Sequence, residues 1–96
     1  MKPIDKQWRF DFSAKAQKQF EKLDKPTKIR IRDYIIKLIE SEKHPKIQAK
    51  PLTGQLSNFW RFRVGDYRLI CSIEEEHFIV LAVHIAHRRD VYDFVP

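Results

Sequence analysis

The segment Trp60-Arg61-Phe62-Arg63-Val64-Gly65-Asp66-Tyr67-Arg68 constrains the fold more than any other stretch of the chain. Apolar and basic residues alternate, break at Gly-Asp, and alternate again. Alternation with period two marks a half-buried strand, and Gly-Asp suits a two-residue hairpin turn. A turn at Gly65 and Asp66 sets Val64 opposite Tyr67 and Arg63 opposite Arg68. Side chains alternate faces along a strand. Arg61, Arg63 and Arg68 therefore share one face, while Trp60, Phe62 and Val64 share the other. Like charges opposite one another destabilise a sheet. Three arginines on one face point to an anionic ligand that neutralises them, and a phosphate backbone is the obvious candidate.

The flanking sequence supplies further elements. Trp8, Phe10 and Phe12 alternate with Arg9 and Asp11, which reads as a first strand. Ser13 is a suitable N-cap, and Ala16, Phe20 and Leu23 follow at helical spacing. Asp24 with Pro26 just beyond it signals a stop and a restart. Ile31, Tyr34, Ile35, Leu38 and Ile39 then form a helical stripe, ending near Ser41 to Lys43. The short connection predicts an antiparallel helical hairpin. Residues His44 to Ser57 carry Pro45, Pro51 and Gly54 and read as a loop. Strands are expected at about Phe59–Val64, Tyr67–Ile73 and Phe78–Ile85, with Glu74 to His77 as a solvated turn. A short helix or irregular tail closes the chain. The order is β-α-α-β-β-β: an α+β fold with a single, mainly antiparallel sheet and a helical hairpin packed on one face. The last three strands should form a meander. The first can pair at an edge or in the centre.

Ninety-six residues make one small domain, 1–96, able to bury a single core. A composition 43% hydrophobic and 12% aromatic suffices for that core. The net charge of +6 favours a polyanionic partner. Cys71 is the only cysteine. It excludes an internal disulfide and a cysteine-rich zinc site, and in an apolar strand it reads as a buried, inert thiol. A chain without disulfides suits a reducing cytoplasm. Met1 to Phe12 lacks the apolar core of a signal peptide. The run Phe78 to Val83 is too short to cross a bilayer, so no membrane partner is expected.

Two constellations carry possible chemistry. The first is the arginine face. All five basic residues after Asn58 are arginines, whereas the eleven lysines all lie at or before Lys50. Arginine's planar fork binds phosphate bidentately and stays charged. The second is His84-Ile85-Ala86-His87-Arg88-Arg89-Asp90-Val91-Tyr92, at the exit of the last strand. RNA cleavage without a metal needs groups to move protons and to stabilise the charged phosphorane. His87, Arg88 and Tyr92 can meet those needs, with Arg89 as a further RNA contact. His84 continues an apolar strand and reads as structural. A metal site is not expected, because His84 and His87 lack further ligands at standard spacing. No cofactor-binding motif is present.

Trp-Arg-x-Arg-x-Gly-x-Tyr-Arg, followed by an apolar strand and His-Arg-Arg-x-Val-Tyr, resembles the RelE/ParE superfamily of bacterial toxins, on its RelE branch. The resemblance runs from the first strand to Tyr92 and includes Lys50-Pro51-Leu52. It implies a type II toxin that cuts mRNA on the ribosome by 2′-hydroxyl attack, without a metal. It also implies a cognate acidic antitoxin, and contact with operator DNA only through that antitoxin. The family's paired basic residues fall at Arg61 and Arg63, its third-strand arginine at Arg68, its transition-state arginine at Arg88 and its base-stacking tyrosine at Tyr92. Arginine at position 63 is too weak an acid to serve readily as a base, and His87 is better tuned for that task. The alternative is a ParE-like toxin that inhibits DNA gyrase without nuclease activity.

Overall fold

The computed structural model describes residues 7–96; the opening of the Met1–Phe12 stretch, expected to lack a leader, lies outside the described residues. Strand β1 (Arg9–Phe12) leads into helices α1 (Ala14–Glu21) and α2 (Lys25–Glu40). Strands β2 (Ala49–Pro51), β3 (Phe59–Val64), β4 (Tyr67–Glu74) and β5 (Ile79–His87) follow. The sheet order is β1-β5-β4-β3-β2. Neighbours are antiparallel except β1, which runs parallel to β5 at the outer edge. The α+β class, the single mainly antiparallel sheet and the β3-β4-β5 meander match the expectation.

One expectation needs correction. The His44–Ser57 loop contains a fifth strand, β2, whose Ala49, Lys50 and Pro51 pair with Phe62, Arg61 and Trp60. Three residues are too few to display alternation, and Pro51 masked the rest. Proline has no N–H to give a ladder, so it is confined to sheet edges, which is where β2 lies. Residues on either side form short 3₁₀ turns, Pro45–Gln48 and Gly54–Leu56.

Local chemistry sets the helix ends. Ser13 Oγ accepts from the Ala16 N–H at 3.1 Å, pairing one of the free donors of the first turn of α1. In α2, Pro26 occupies the first turn, where a missing N–H costs no helical bond. Asp24 accepts from the Thr27 hydroxyl, which holds its carboxyl below the usual range. The stripe of α2 faces the sheet: Ile31 and Leu38 are buried, and Tyr34, Ile35 and Ile39 pack beside them.

The sheet carries a core on each face. Under the helices, Phe62, Leu69, Cys71, Val80 and Ala82 are fully buried. Each of the large apolar side chains there stabilises the fold by about 1.5–3 kcal/mol relative to exposure. Burial also pushes the Cys71 thiol up from its ordinary range, consistent with an inert role. The smaller core lies on the opposite face. There Ile70, Val91 and Phe94 are buried, with Leu52, Leu56, Phe59 and Val83 against them. The chain end is a 3₁₀ turn, Val91–Asp93, held down by Val91 and Phe94. It covers the apolar part of this second face and leaves the arginine part open.

Strand β1 accompanies β5 only from Ile79 to Ala82. Beyond that point α1 serves the exposed edge. Gln19 Oε1 accepts from the Ile85 N–H at 2.7 Å, and its amide nitrogen meets His84 Nδ1 at 3.1 Å. Among the described residues no helix is long and apolar enough to cross a membrane.

Candidate functional site

The β3–β4 turn places the arginines. Gly65 has φ of +58°, in the left-handed region that glycine enters without steric cost. A Cβ there would also stand 2.9 Å from Arg30 Nη1. The resulting register sets Arg63 directly opposite Arg68, and Arg61 opposite Ile70. Arg68 Nη1 donates to the carbonyls of Gly65 and Tyr67 at 3.0 and 2.9 Å. Its guanidinium is held below the usual arginine range, first by desolvation and then by Arg63, Arg61 and Arg88. Asp66 pulls weakly the other way.

Arg88 is tied to the same turn. Its N–H donates to the Asp66 carbonyl at 2.7 Å, and its Nε lies 3.8 Å from Asp66 Oδ1. The turn thus fixes both the arginine register and the approach of the post-β5 segment. Tyr92, 85% exposed, projects from the terminal 3₁₀ turn between its two buried neighbours Val91 and Phe94.

These elements converge on a cleft of about 410 Å³. Its wall consists of Arg61, Arg63, Arg68, Arg88, Lys50, Gln48, Val91 and Tyr92. Five cations meet there, and none of the lining residues is a carboxylate. A larger hollow, about 750 Å³, lies beside α2 and shares Arg63. Its wall sets Asp33 among Lys25, Arg30 and Lys37, so its charge is partly balanced from within. The 410 Å³ cleft is where an external polyanion gains most.

Five sequence-predicted site residues therefore come together: Arg61, Arg63, Arg68, Arg88 and Tyr92. Two do not. His87 ends β5 opposite Tyr67, and the rings meet edge-on at 5.4 Å. Ala86, opposite Arg68, takes the place on the cationic side, so alternation turns His87 to the other face. There it lines a separate hollow with Gln19, Lys22, Asp90 and Asp93. Its Nδ1 accepts from the Arg89 N–H at 3.2 Å. Arg89 is exposed and absent from the cleft wall. Proximity along the chain groups both with Arg88, but β5 runs on to His87, two residues beyond the Ile85 that the apolar pattern predicts.

Lys50 and Gln48 were missed as site residues. Lys50 sits opposite Arg61 in the β2–β3 register, so finding it required recognising β2. His84 is structural, as expected. It is buried and bound through Nδ1 to Gln19. Because Gln19 Oε1 faces the Ile85 N–H, its amide NH₂ must donate to His84 Nδ1, which leaves the proton on Nε2. That atom is buried without a partner among the described residues, and the His84 and Phe94 ring centroids lie 5.2 Å apart. Burial, aided by Lys15, holds the His84 pKa below its ordinary value, while Asp93 opposes the shift.

Comparison with known proteins follows the same lines. Residues 10–92 match a family described as ParE toxin of type II toxin–antitoxin system, parDE. Toxin RelG of Mycobacterium tuberculosis is 30% identical over 81 residues, covering 84% of this chain and 91% of that protein. Toxin RelE of the same organism is 36% identical over 53 residues, 55% of each. The toxin–antitoxin complex RelBE2 of M. tuberculosis contains a chain with TM-score 0.66 and 27% identity, covering 86% of this chain and 93% of that one. A mutant of E. coli toxin RelE in the free state gives TM-score 0.68 at 17% identity, covering 88% and 87%. The last likeness speaks to fold alone.

Proposed function

The chain belongs to the RelE/ParE superfamily of type II toxin–antitoxin toxins, on its RelE-like side, and from that premise we propose that it is a ribosome-dependent mRNA endoribonuclease that works without a metal ion. One observation carries the reading: four arginines and a lysine line a carboxylate-free cleft with an exposed tyrosine at its rim. In the reaction the 2′-oxygen bonds to the adjacent phosphorus and the bond from phosphorus to the 5′-oxygen breaks. The 2′-hydroxyl passes its proton to solvent water, and the leaving oxygen gains one from a protein donor that solvent then reprotonates. Arg68 and Arg88 stabilise the phosphorane's extra charge, which develops only in the transition state. Arg61 and Arg63 hold flanking phosphates. The field of five cations favours the ionised 2′-oxygen, and the Lys50 ammonium supplies a proton to the leaving oxygen. Tyr92 stacks on a base and aligns the attack. His87 stands outside this relay, and Arg89 is at most a peripheral contact.

The partner follows from the same surface. The M. tuberculosis RelBE2 structure is a toxin–antitoxin complex, and an acidic antitoxin segment would neutralise this chain's cleft as RNA does. Affinity through such contacts is salt-sensitive. Cytoplasmic location fits a ribosomal substrate, and operator DNA is met only through the antitoxin.

The test adds purified chain to a translating extract and maps mRNA 5′ ends, beside a DNA gyrase supercoiling assay. New ends that appear only when ribosomes translate support the reading. Intact mRNA with inhibited gyrase would favour the ParE-like alternative.

A further inference from the structure

The cationic cleft has an apolar neighbour. A pocket of about 330 Å³ adjoins it and shares three walls: Arg61, Val91 and Tyr92. The remaining wall is Pro51, Leu52, Thr53, Leu56 and Phe94. One hollow binds charge, the next offers apolar surface, and an exposed aromatic stands between them.

We propose that this pocket seats the nucleobase of the nucleotide whose phosphate occupies the cationic cleft, with Thr53 contacting the base edge. The inference rests on the nuclease reading and deepens it to base selection.

The chemistry of a nucleotide matches the pair of hollows. A base has two apolar faces and a polar rim, and single-stranded RNA is read by stacking bases on aromatic surfaces and bonding their edges. Tyr92 offers such a surface. Leu52, Leu56 and Phe94 form the apolar floor. All three belong to the second core, packed with Ile70 and Val91, so the floor is held before any ligand arrives. The loop above it is also fixed. The Leu52 N–H donates to the Phe59 carbonyl at 3.0 Å, and the Leu56 N–H to the Thr53 carbonyl at 3.3 Å. Gly54, at φ +65°, permits the turn between them. Thr53 is exposed at the N-terminus of that turn, and its hydroxyl makes no capping bond. It is free to donate to, or accept from, a base edge. Charge complementarity chooses the occupant: Arg61 lines both hollows, and a nucleotide brings its own phosphate to it.

The experiment is a titration of the full chain, with leucine and threonine methyls labelled, followed by NMR. The probes are the four nucleoside 3′-monophosphates and, separately, inorganic phosphate. Nucleotides should shift the Leu52, Thr53 and Leu56 methyls, whereas inorganic phosphate should leave them in place. Thr53→Val, a change at an exposed position, should alter the preference among the four nucleotides by about tenfold, the loss of one edge hydrogen bond. Nucleotides that leave these three methyls unmoved, whatever phosphate does in the cleft, would overturn the proposal and leave the pocket to an apolar side chain of a protein partner. An unchanged preference in Thr53→Val would overturn Thr53 as the reader. Neither ribosome nor cleavage enters the measurement. Nucleotide binding here by a chain that leaves mRNA intact would therefore sink the nuclease reading and spare the pocket.

Discussion

The two faces of the sheet are built from the same strands by opposite rules. Under the helices, alternate residues of β3, β4 and β5 are Phe62, Val64, Leu69, Cys71 and Ile85, and the cluster they join holds no charged side chain. On the other face the same strands place Arg61, Arg63 and Arg68 side by side. Desolvation first, and then Arg63, Arg61 and Arg88, hold the Arg68 guanidinium below the usual arginine range. Apolar packing stabilises the first face, whereas the second accepts repulsion that an anion relieves. A fold selected for stability alone would not set Arg63 opposite Arg68. The cost is tolerated because the covered face, together with the small core under Val91 and Phe94, supplies the stability that the open half lacks.

If the division is right, substitutions on the two faces should fail in different ways. The largest effect is expected at Arg88. Arg88→Ala should slow mRNA cleavage in a translating extract by about two orders of magnitude or more, the usual cost of removing one transition-state charge partner. Ribosome binding should change far less. Equal losses in the two assays would make Arg88 a docking residue and blur the comparison.

Next come Arg61 and Arg63. Each alanine variant should weaken RNA binding by about tenfold and reduce the slope of log affinity against log salt by about one. A salt slope unchanged from wild type would remove these residues from the phosphate contacts.

A third effect belongs to the β5 edge, where Gln19 of α1 meets it, and should touch stability rather than cleavage. Gln19→Ala leaves the Ile85 N–H and His84 Nδ1 without their partner, at a cost of about 1–3 kcal/mol. His84 adds a pH dependence. Its folded pKa lies below the ordinary 6.5, so the unfolded chain binds more protons as pH falls past that value. Stability should therefore drop on acidification below about pH 6.5 and level off once the folded state also titrates. Urea denaturation between pH 5 and 8 measures it, and His84→Phe should flatten that limb. A stability that rises on acidification over this interval would contradict the assignment of a buried, neutral imidazole.

Much of this division was legible in the residues. The Gly65-Asp66 turn fixed the register, and register fixed the arginine face, because a period of two leaves no freedom once the turn is known. The helices were legible from Ser13, Pro26 and the Ile31–Ile39 stripe. Three things were not. Strand β2 is too short for periodicity, and with it went Lys50. The reach of β5 to His87 depends on pairing with Tyr67, a long-range contact with no local signature, so His87 was placed with Arg88 when the strand turns it away. The pocket beside Tyr92 arises because Phe94 returns to cover Ile70, and nothing in the tail's sequence announces that.

The sharpest test is at the residue where chain proximity and face assignment disagree. His87→Gln and wild type should be compared in a translating extract for cleavage rate between pH 5.5 and 8. With the chemistry confined to the open face, the variant should cleave within about twofold of wild type, because its ring packs against Tyr67 and meets no phosphate. The two pH profiles should superimpose. A loss of an order of magnitude or more, together with disappearance of a limb near the histidine range, would place the general base on the covered side and contradict the account.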